Sequence, residues 1–271
     1  MKNRSYLHHS LQKKARFFFC IQVLVGFFIA GAHSGVLAVT HNIGSLDQAV
    51  SMAQRDPNIK LPLSEIRYNV KKYYYQIQSA SGQLDISREV KGHFDSAVKK
   101  SEKNFDQGET DISQSDITKL KLGLSGTLND ILELETELKI AKLYLGNYLG
   151  WNPYQNIELK EKKTSAVDFS FASFEEFFHS LNQAEGQITP EKRLSLEKGF
   201  IKAVEAQDKM NLAKKTRKIT RALLVGEVAN YDFGIGSSGD LFEALIIYTR
   251  VLKGYYQSIY NFNLSVAELY R

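Results

Sequence analysis

The chain has 271 residues, 43% of them hydrophobic and 24% charged, with four prolines and one cysteine. That balance buries an ordinary core and excludes wholesale disorder. The formal net charge is +5, yet Lys2, Arg4, Lys13, Lys14 and Arg16 are the only charged residues in the first 38 positions, which leaves 30 basic and 30 acidic residues beyond them. A nucleic-acid partner calls for clustered basic charge on the folded part, and the count offers none.

The N-terminus reads as a secretory signal peptide over residues 1–38. A basic segment precedes an apolar run from Phe17 to Ala30, and small residues follow at Ala32-His33-Ser34 and Val36-Leu37-Ala38. Read the other way, Phe17 to Val39 is long enough to stay as an uncleaved membrane anchor, although Gln22, His33 and Ser34 interrupt it. The sole cysteine, Cys20, lies inside the apolar run. A cleaved chain therefore has no thiol for disulfides, metal binding or nucleophilic chemistry.

A short amphipathic helix is expected from Ser45 to Arg55, with Leu46, Ala49, Val50 and Ala53 on one face, ended by Asp56-Pro57. The next helix runs from about Leu63 to Gln107. Its seam is Leu63, Ile66, Val70, Tyr73, Ile77, Ala80 and Leu84, and then shifts to Ile86, Val90, Phe94, Ala97 or Val98, and Phe105. Such a helix is roughly 65–70 Å long. Gly108 is the expected stop. Ser113 and Asp116 then open a second helix, whose seam is Ile117, Leu120, Leu124, Thr127, Ile131, Leu134, Leu138, Ala141, Leu145 and Tyr148. Gly150 ends it.

Residues 151–172 form the linker. Ile157-Glu158-Leu159 is a short extended piece, and Lys160 to Lys163 is a charge run of the kind that is solvated. Phe169, Phe171, Phe174, Phe177 and Phe178 lead into a short helix ending near Glu185 and pin this segment to the helices. Thr189-Pro190 starts another long helix, which runs to Phe233 and turns at Gly234-Ile235-Gly236. Ser237 and Asp240 cap the last helix, with a seam of Leu241, Leu245, Tyr248, Leu252, Tyr255, Ile259, Phe262, Val266 and Leu269.

The two halves repeat. Asn104, Asp106 and Gly108 match Asn230, Asp232 and Gly234 at an offset of 126, and Ser113 and Asp116 match Ser237 and Asp240 at 124. Heptads align by chance, but a glycine stop and a capping pair do not align with them. The fold class is all-α: one domain over residues 39–271, a tandem repeat of two long antiparallel helical hairpins (45–150 and 173–271), with little or no strand. The six histidines make no zinc-protease pattern, and no nucleophile elbow or phosphate loop is present. Asp232-Phe233-Gly234 spells a kinase tripeptide without its companions. No catalytic, metal or cofactor site is expected, and an enzyme is not indicated.

Two tandem hairpins behind a leader resemble the TolC family of outer-membrane efflux proteins. The resemblance sits in Phe105-x-x-Gly108 with Ser113-x-x-Asp116, in Tyr231 to Gly236 with Asp240-Leu241 and Ala244-Leu245, and in the opening helix from Leu46 to Pro57. It implies a homotrimer whose hairpins curve into a periplasmic transport duct of a Gram-negative bacterium. The hairpin tips, residues 104–116 and 230–240, would meet a periplasmic adaptor that is served by an inner-membrane pump. The candidate contact or aperture residues carried over are Phe105, Asp106, Gly108, Asp111, Asp116, Tyr231, Asp232, Gly234, Gly236 and Asp240. Asp106, Asp111, Asp232 and Asp240 would shape the charge of the aperture, although capping alone accounts for Asp116 and Asp240. The chain departs from the family where each half should carry two membrane strands of about 9–11 residues apiece. Asn58 to Pro62 and Gln187 to Arg193 have no room for them. A periplasmic helical scaffold without a barrel, pairing with a complete TolC-like protein or an adaptor, is therefore the alternative. A leader-anchored coiled-coil protein unrelated to transport is the third reading.

Overall fold

Helix ends in this chain are set by local chemistry, and the computed structural model shows them where that chemistry stands. It describes residues 40–108, 112–151, 156–182 and 188–271. The leader, Cys20 and the candidate Asp111 lie outside these residues. The elements are β1 (Thr40–Ile43), α1 (Leu46–Gln54), α2 (Leu63–Asp106), α3 (Gln114–Tyr148), β2 (Asn156–Leu159), α4 (Phe174–Asn182), α5 (Pro190–Asp232) and α6 (Ser238–Leu269). Ser45, Ser113, Thr189 and Ser237 each cap a helix by accepting a hydrogen bond from a backbone N–H three residues on. Pro190 occupies the first turn of α5, where its missing N–H costs nothing.

The all-α reading holds, with one addition. β1 and β2 pair in parallel, Thr40 opposite Asn156 through Ile43 opposite Leu159. A parallel pair needs a long crossover, and here the α1–α2–α3 segment supplies it. Ile43, Ile157 and Leu159 are buried among Ala49, Ala53, Val70, Ala141 and Leu145, so this small sheet closes one end of the first hairpin.

The helices form two antiparallel hairpins, α2 with α3 and α5 with α6. They join through α2 against α6, so that α3 and α5 take the outer positions. The predicted seams of α3 and α6 face the core: Leu120, Ala141, Leu145, Leu245, Tyr248 and Phe262 are fully covered. Each leucine or phenylalanine among them contributes about 1.5–3 kcal/mol on burial. Helix α2 differs from its predicted seam. Leu63 and Phe105 are exposed, and Tyr74 and Tyr75 are buried rather than Tyr73, which stacks on Tyr144 at a half-buried site. Two causes act. Contact with α3 on one side and α6 on the other widens the buried face of α2 beyond one seam. At 44 residues against 35 and 32, its ends also overrun those of both partners.

The linker is packed as the phenylalanines predict. Phe169 and Phe177 are buried against Phe200, with ring centroids 5.7 Å away in each case, and Phe262 completes the cluster. Polar bonds hold the same segment. Asn263 accepts from the Val167 N–H at 2.9 Å and donates to the Ser165 carbonyl at 2.8 Å. Glu161 is more than solvated charge, because its carboxylate accepts from the Tyr74 hydroxyl at 2.9 Å.

Candidate functional site at the hairpin tips

Both hairpins turn at the same end of the molecule. At the first, the N–H groups of Gln107 and Gly108 bond back to the carbonyls of Lys103 and Phe105, and Gly108 enters the left-handed region at φ +80°. A residue with a Cβ is strained in that conformation. Ser113 and Asp116 form a full capping box: each side chain bonds the other's backbone N–H, both at 3.2 Å. Donation from the Ser113 hydroxyl and then from its backbone N–H, with Lys119 adding attraction, holds the Asp116 carboxyl below the usual carboxylate range.

The second tip is tighter. Gly234 has φ +74°, and the N–H groups of Ile235 and Gly236 both reach the Asn230 carbonyl at 3.0 Å. Gly236 is required by contact rather than by φ, since a Cβ there would stand 2.8 Å from the Asn230 Cβ and 3.2 Å from backbone atoms. Ser237 caps through the Asp240 N–H at 3.1 Å and donates to its carboxylate at 2.7 Å.

The structure brings the two tips side by side through residues the sequence did not single out. Lys100, on α2, donates to the carbonyls of Tyr231 and Asp232 at 2.7 and 3.0 Å, and its ammonium lies over the Tyr231 ring. The Tyr231 hydroxyl donates to the Ala97 carbonyl at 3.2 Å and sits 2.8 Å from the fully buried Ser101 hydroxyl. Burial raises the Tyr231 pKa above its ordinary value. A lysine at a helix C-terminus answers both orphan carbonyls and the negative end of the helix dipole. Only its partner on α5 reveals this role, so no sequence signal marked it.

The candidate residues therefore divide. Tyr231 is an internal anchor. Gly108, Gly234 and Gly236 shape the turns, and Asp116 and Asp240 cap helices. Asp106 and Asp232 are exposed, as are Phe105, Phe233 and Ile235, with Phe233 81% and Ile235 78% open. Three exposed apolar side chains thus stand at the tip end.

A second feature lies on the outer helices. Between Lys121 and Lys139, α3 carries Asp130, Glu133, Glu135 and Glu137 without a cation. Between Asp208 and Glu227, α5 carries Lys209, Lys214, Lys215, Arg217, Lys218 and Arg221 without an acid. The balanced overall count conceals this segregation, and the folded part does hold clustered basic charge.

Neither models of known protein families nor curated protein sequences give a match to this chain. Solved structures do. Over 83% of its length the chain is similar to CusC, described in terms of folding and transmembrane channel formation, with a TM-score of 0.57, 13% identity and 69% of that chain covered. It is similar over the same share to the outer-membrane channel OprN (TM-score 0.59, 11% identity, 69% covered). The outer membrane protein VceC of Vibrio cholerae matches at 0.55 and 10% identity, with 73% covered. The fold is that of the helical part of TolC-type outer-membrane channels. At such identities the likeness is one of backbone architecture.

Proposed function

We propose that this chain is a TolC-like efflux or secretion component that acts by lining a passage. In this reading its hairpins, in several copies, contribute to a periplasmic transport duct, as a homotrimer or together with a complete TolC-like protein. The tips at residues 104–116 and 230–240 dock a periplasmic adaptor that an inner-membrane pump supplies. The observation that carries the reading is the likeness to outer-membrane channels along 83% of the chain. The exposed Phe105, Phe233 and Ile235 support the tips as the docking surface. Fractionation of cells, with a photo-reactive residue in place of Phe233, tests it. A trimer in the outer-membrane fraction with an adaptor adduct is the expected result. A soluble periplasmic monomer without an adduct would overturn it.

One observation favours a second reading, a periplasmic helical scaffold with no pore of its own. The connections between α1 and α2 (residues 55–62) and between α4 and α5 (residues 183–189) are each shorter than one membrane strand of about 9–11 residues, let alone a pair. None of the described helices is long and apolar enough to cross a membrane. Release of the mature protein from cells by osmotic shock alone distinguishes the scaffold from the duct.

A further inference from the structure

Away from the tips, α2, α3 and the linker strand β2 enclose a half-open cleft of about 310 Å³. That volume is at the low end of small-molecule sites, roughly 300–1,000 Å³. The floor is apolar, formed by Ile77, Leu84, Leu138, Ile157 and Leu159. Ile77 and Leu84 stand on one side of α2, so the floor runs about 10 Å along the helix.

The linker wall is fixed in place. Gln78, buried on α2, donates to the carbonyls of Glu161 and Lys163 at 2.6 and 3.4 Å, and the Tyr74 hydroxyl donates to the Glu161 carboxylate at 2.9 Å. The cleft is therefore shaped before an occupant arrives, which spares an ordering cost on binding.

Charge is uneven along the floor. One end carries Lys142 of α3 and Lys162 of the linker. Lys142 is half-buried, and its ammonium reaches the Asn156 side-chain carbonyl at 3.3 Å. An ammonium has further protons to donate. Neither lysine ion-pairs with a described carboxylate. Glu158 lines the same wall without closing a pair, and Glu161 is engaged by Tyr74. Burial pushes the Lys142 pKa below the ordinary lysine value; Glu158 counters this, and Lys162 adds to it. Two ammonium groups against one unpaired carboxylate leave this end short of negative charge. At the other end Arg88 is held by Glu135 at 3.0 Å, while Asp85 is exposed and pairs with no described cation. A second anionic group is disfavoured there.

We propose that the cleft binds an aliphatic monocarboxylate, with its head between Lys142 and Lys162 and its chain along the floor from Ile77 to Leu84. The class is that of medium-chain fatty acids. A cationic amphiphile would set its charge against two lysines, and a dicarboxylate would set its second charge against Asp85. The site lies within one hairpin of one copy, so it is independent of whether the chain lines a duct or serves as a scaffold.

The test is calorimetric titration of the full chain with octanoate, below the concentration at which octanoate forms micelles. Saturable binding of one octanoate per chain is expected, with octylamine and acetate each weaker by about tenfold or more. Lys142→Gln removes a charge-assisted hydrogen bond and should weaken octanoate about tenfold. Lys139→Gln removes an equal charge from an exposed site on the same helix and should change the affinity by no more than about twofold. A photo-reactive octanoate supplies a readout that needs no variant, and should label residues 77–88, 138–142 or 157–162. No saturable heat, equal affinity for octylamine, or equal losses in the two lysine variants would each overturn the site. Labelling chiefly elsewhere in the chain would do the same.

Discussion

Tyr231→Phe tests whether the tips are held together as described. The substitution keeps the buried ring and the Lys100 ammonium over it, 4.7 Å from its centroid, and removes one oxygen. That oxygen makes two contacts, 3.2 Å to the Ala97 carbonyl and 2.8 Å to the Ser101 hydroxyl. Leaving a buried hydroxyl without a partner costs about 1–3 kcal/mol. Ser101 stands four residues after Ala97 and can turn its hydroxyl onto that carbonyl, so the lower end applies, about 1 kcal/mol. Ser101→Ala should cost about 0.5–1 kcal/mol. The double variant should cost less than the two together, by about 0.5–1 kcal/mol of coupling. Hydrogen exchange of peptides spanning residues 225–236 reads the local opening, and 1 kcal/mol corresponds to about fivefold faster exchange. Urea unfolding followed by circular dichroism supplies the global value. Additive losses, or unchanged exchange at the end of α5 in Tyr231→Phe, would refute the anchor.

Three further outcomes are expected. Gly236→Ala should destabilise the second tip by about 1–3 kcal/mol through its contacts with Asn230, whereas Gly108→Ala, which meets open space at positive φ, should cost about 1 kcal/mol; urea titration separates the two. Asn263→Ala leaves the Val167 N–H and the Ser165 carbonyl unpaired, so about 2–4 kcal/mol should be lost and the linker should become sensitive to limited proteolysis. Tyr75 and Tyr248 are pushed up to about 12, chiefly by burial, with the Glu89 carboxylate adding to the second. Their folded pKa values exceed the unfolded value of about 10, so the folded state holds its protons more tightly and the associated stability is complete below pH 10. Stability should fall as pH rises from about 10 to 12, and a midpoint temperature flat across that window would contradict the burial of these phenols.

How legible each feature was depended on how local its cause is. The caps at Ser113, Thr189 and Ser237 and the stops at Gly108 and Gly234 involve residues a few positions apart, and the structure has each where the sequence placed it. The seams of α3 and α6 were legible because each helix buries essentially one stripe. Strand β1 was not, since four residues of Thr-His-Asn-Ile carry no alternation and take their order from β2, more than a hundred positions later. The charge segregation between α3 and α5 was present in the sequence, but a net count erases it, and only the outer positions of the two helices give it meaning.

The repeat also implied two equivalent tips, and here the fold departs from the sequence for a definite reason. Phe105 and Tyr231 occupy matching places in the repeat, yet Phe105 is 41% exposed and Tyr231 is buried. Helix α2 sits inside the layer and overruns its partners, so its last turn projects past them. Helix α5 sits outside, and its last turn falls beside α2, within reach of Lys100 and Ser101. The same motif at the end of an inner and of an outer helix thus meets open solvent in one case and a neighbour in the other. Exposure at the second tip passes instead to Phe233 and Ile235, beyond the anchor. The first tip therefore bears a single exposed aromatic ring, and the second bears two exposed apolar side chains on a tightly bonded turn. Loss of the Tyr231 anchor should loosen the second tip before it loosens the helices.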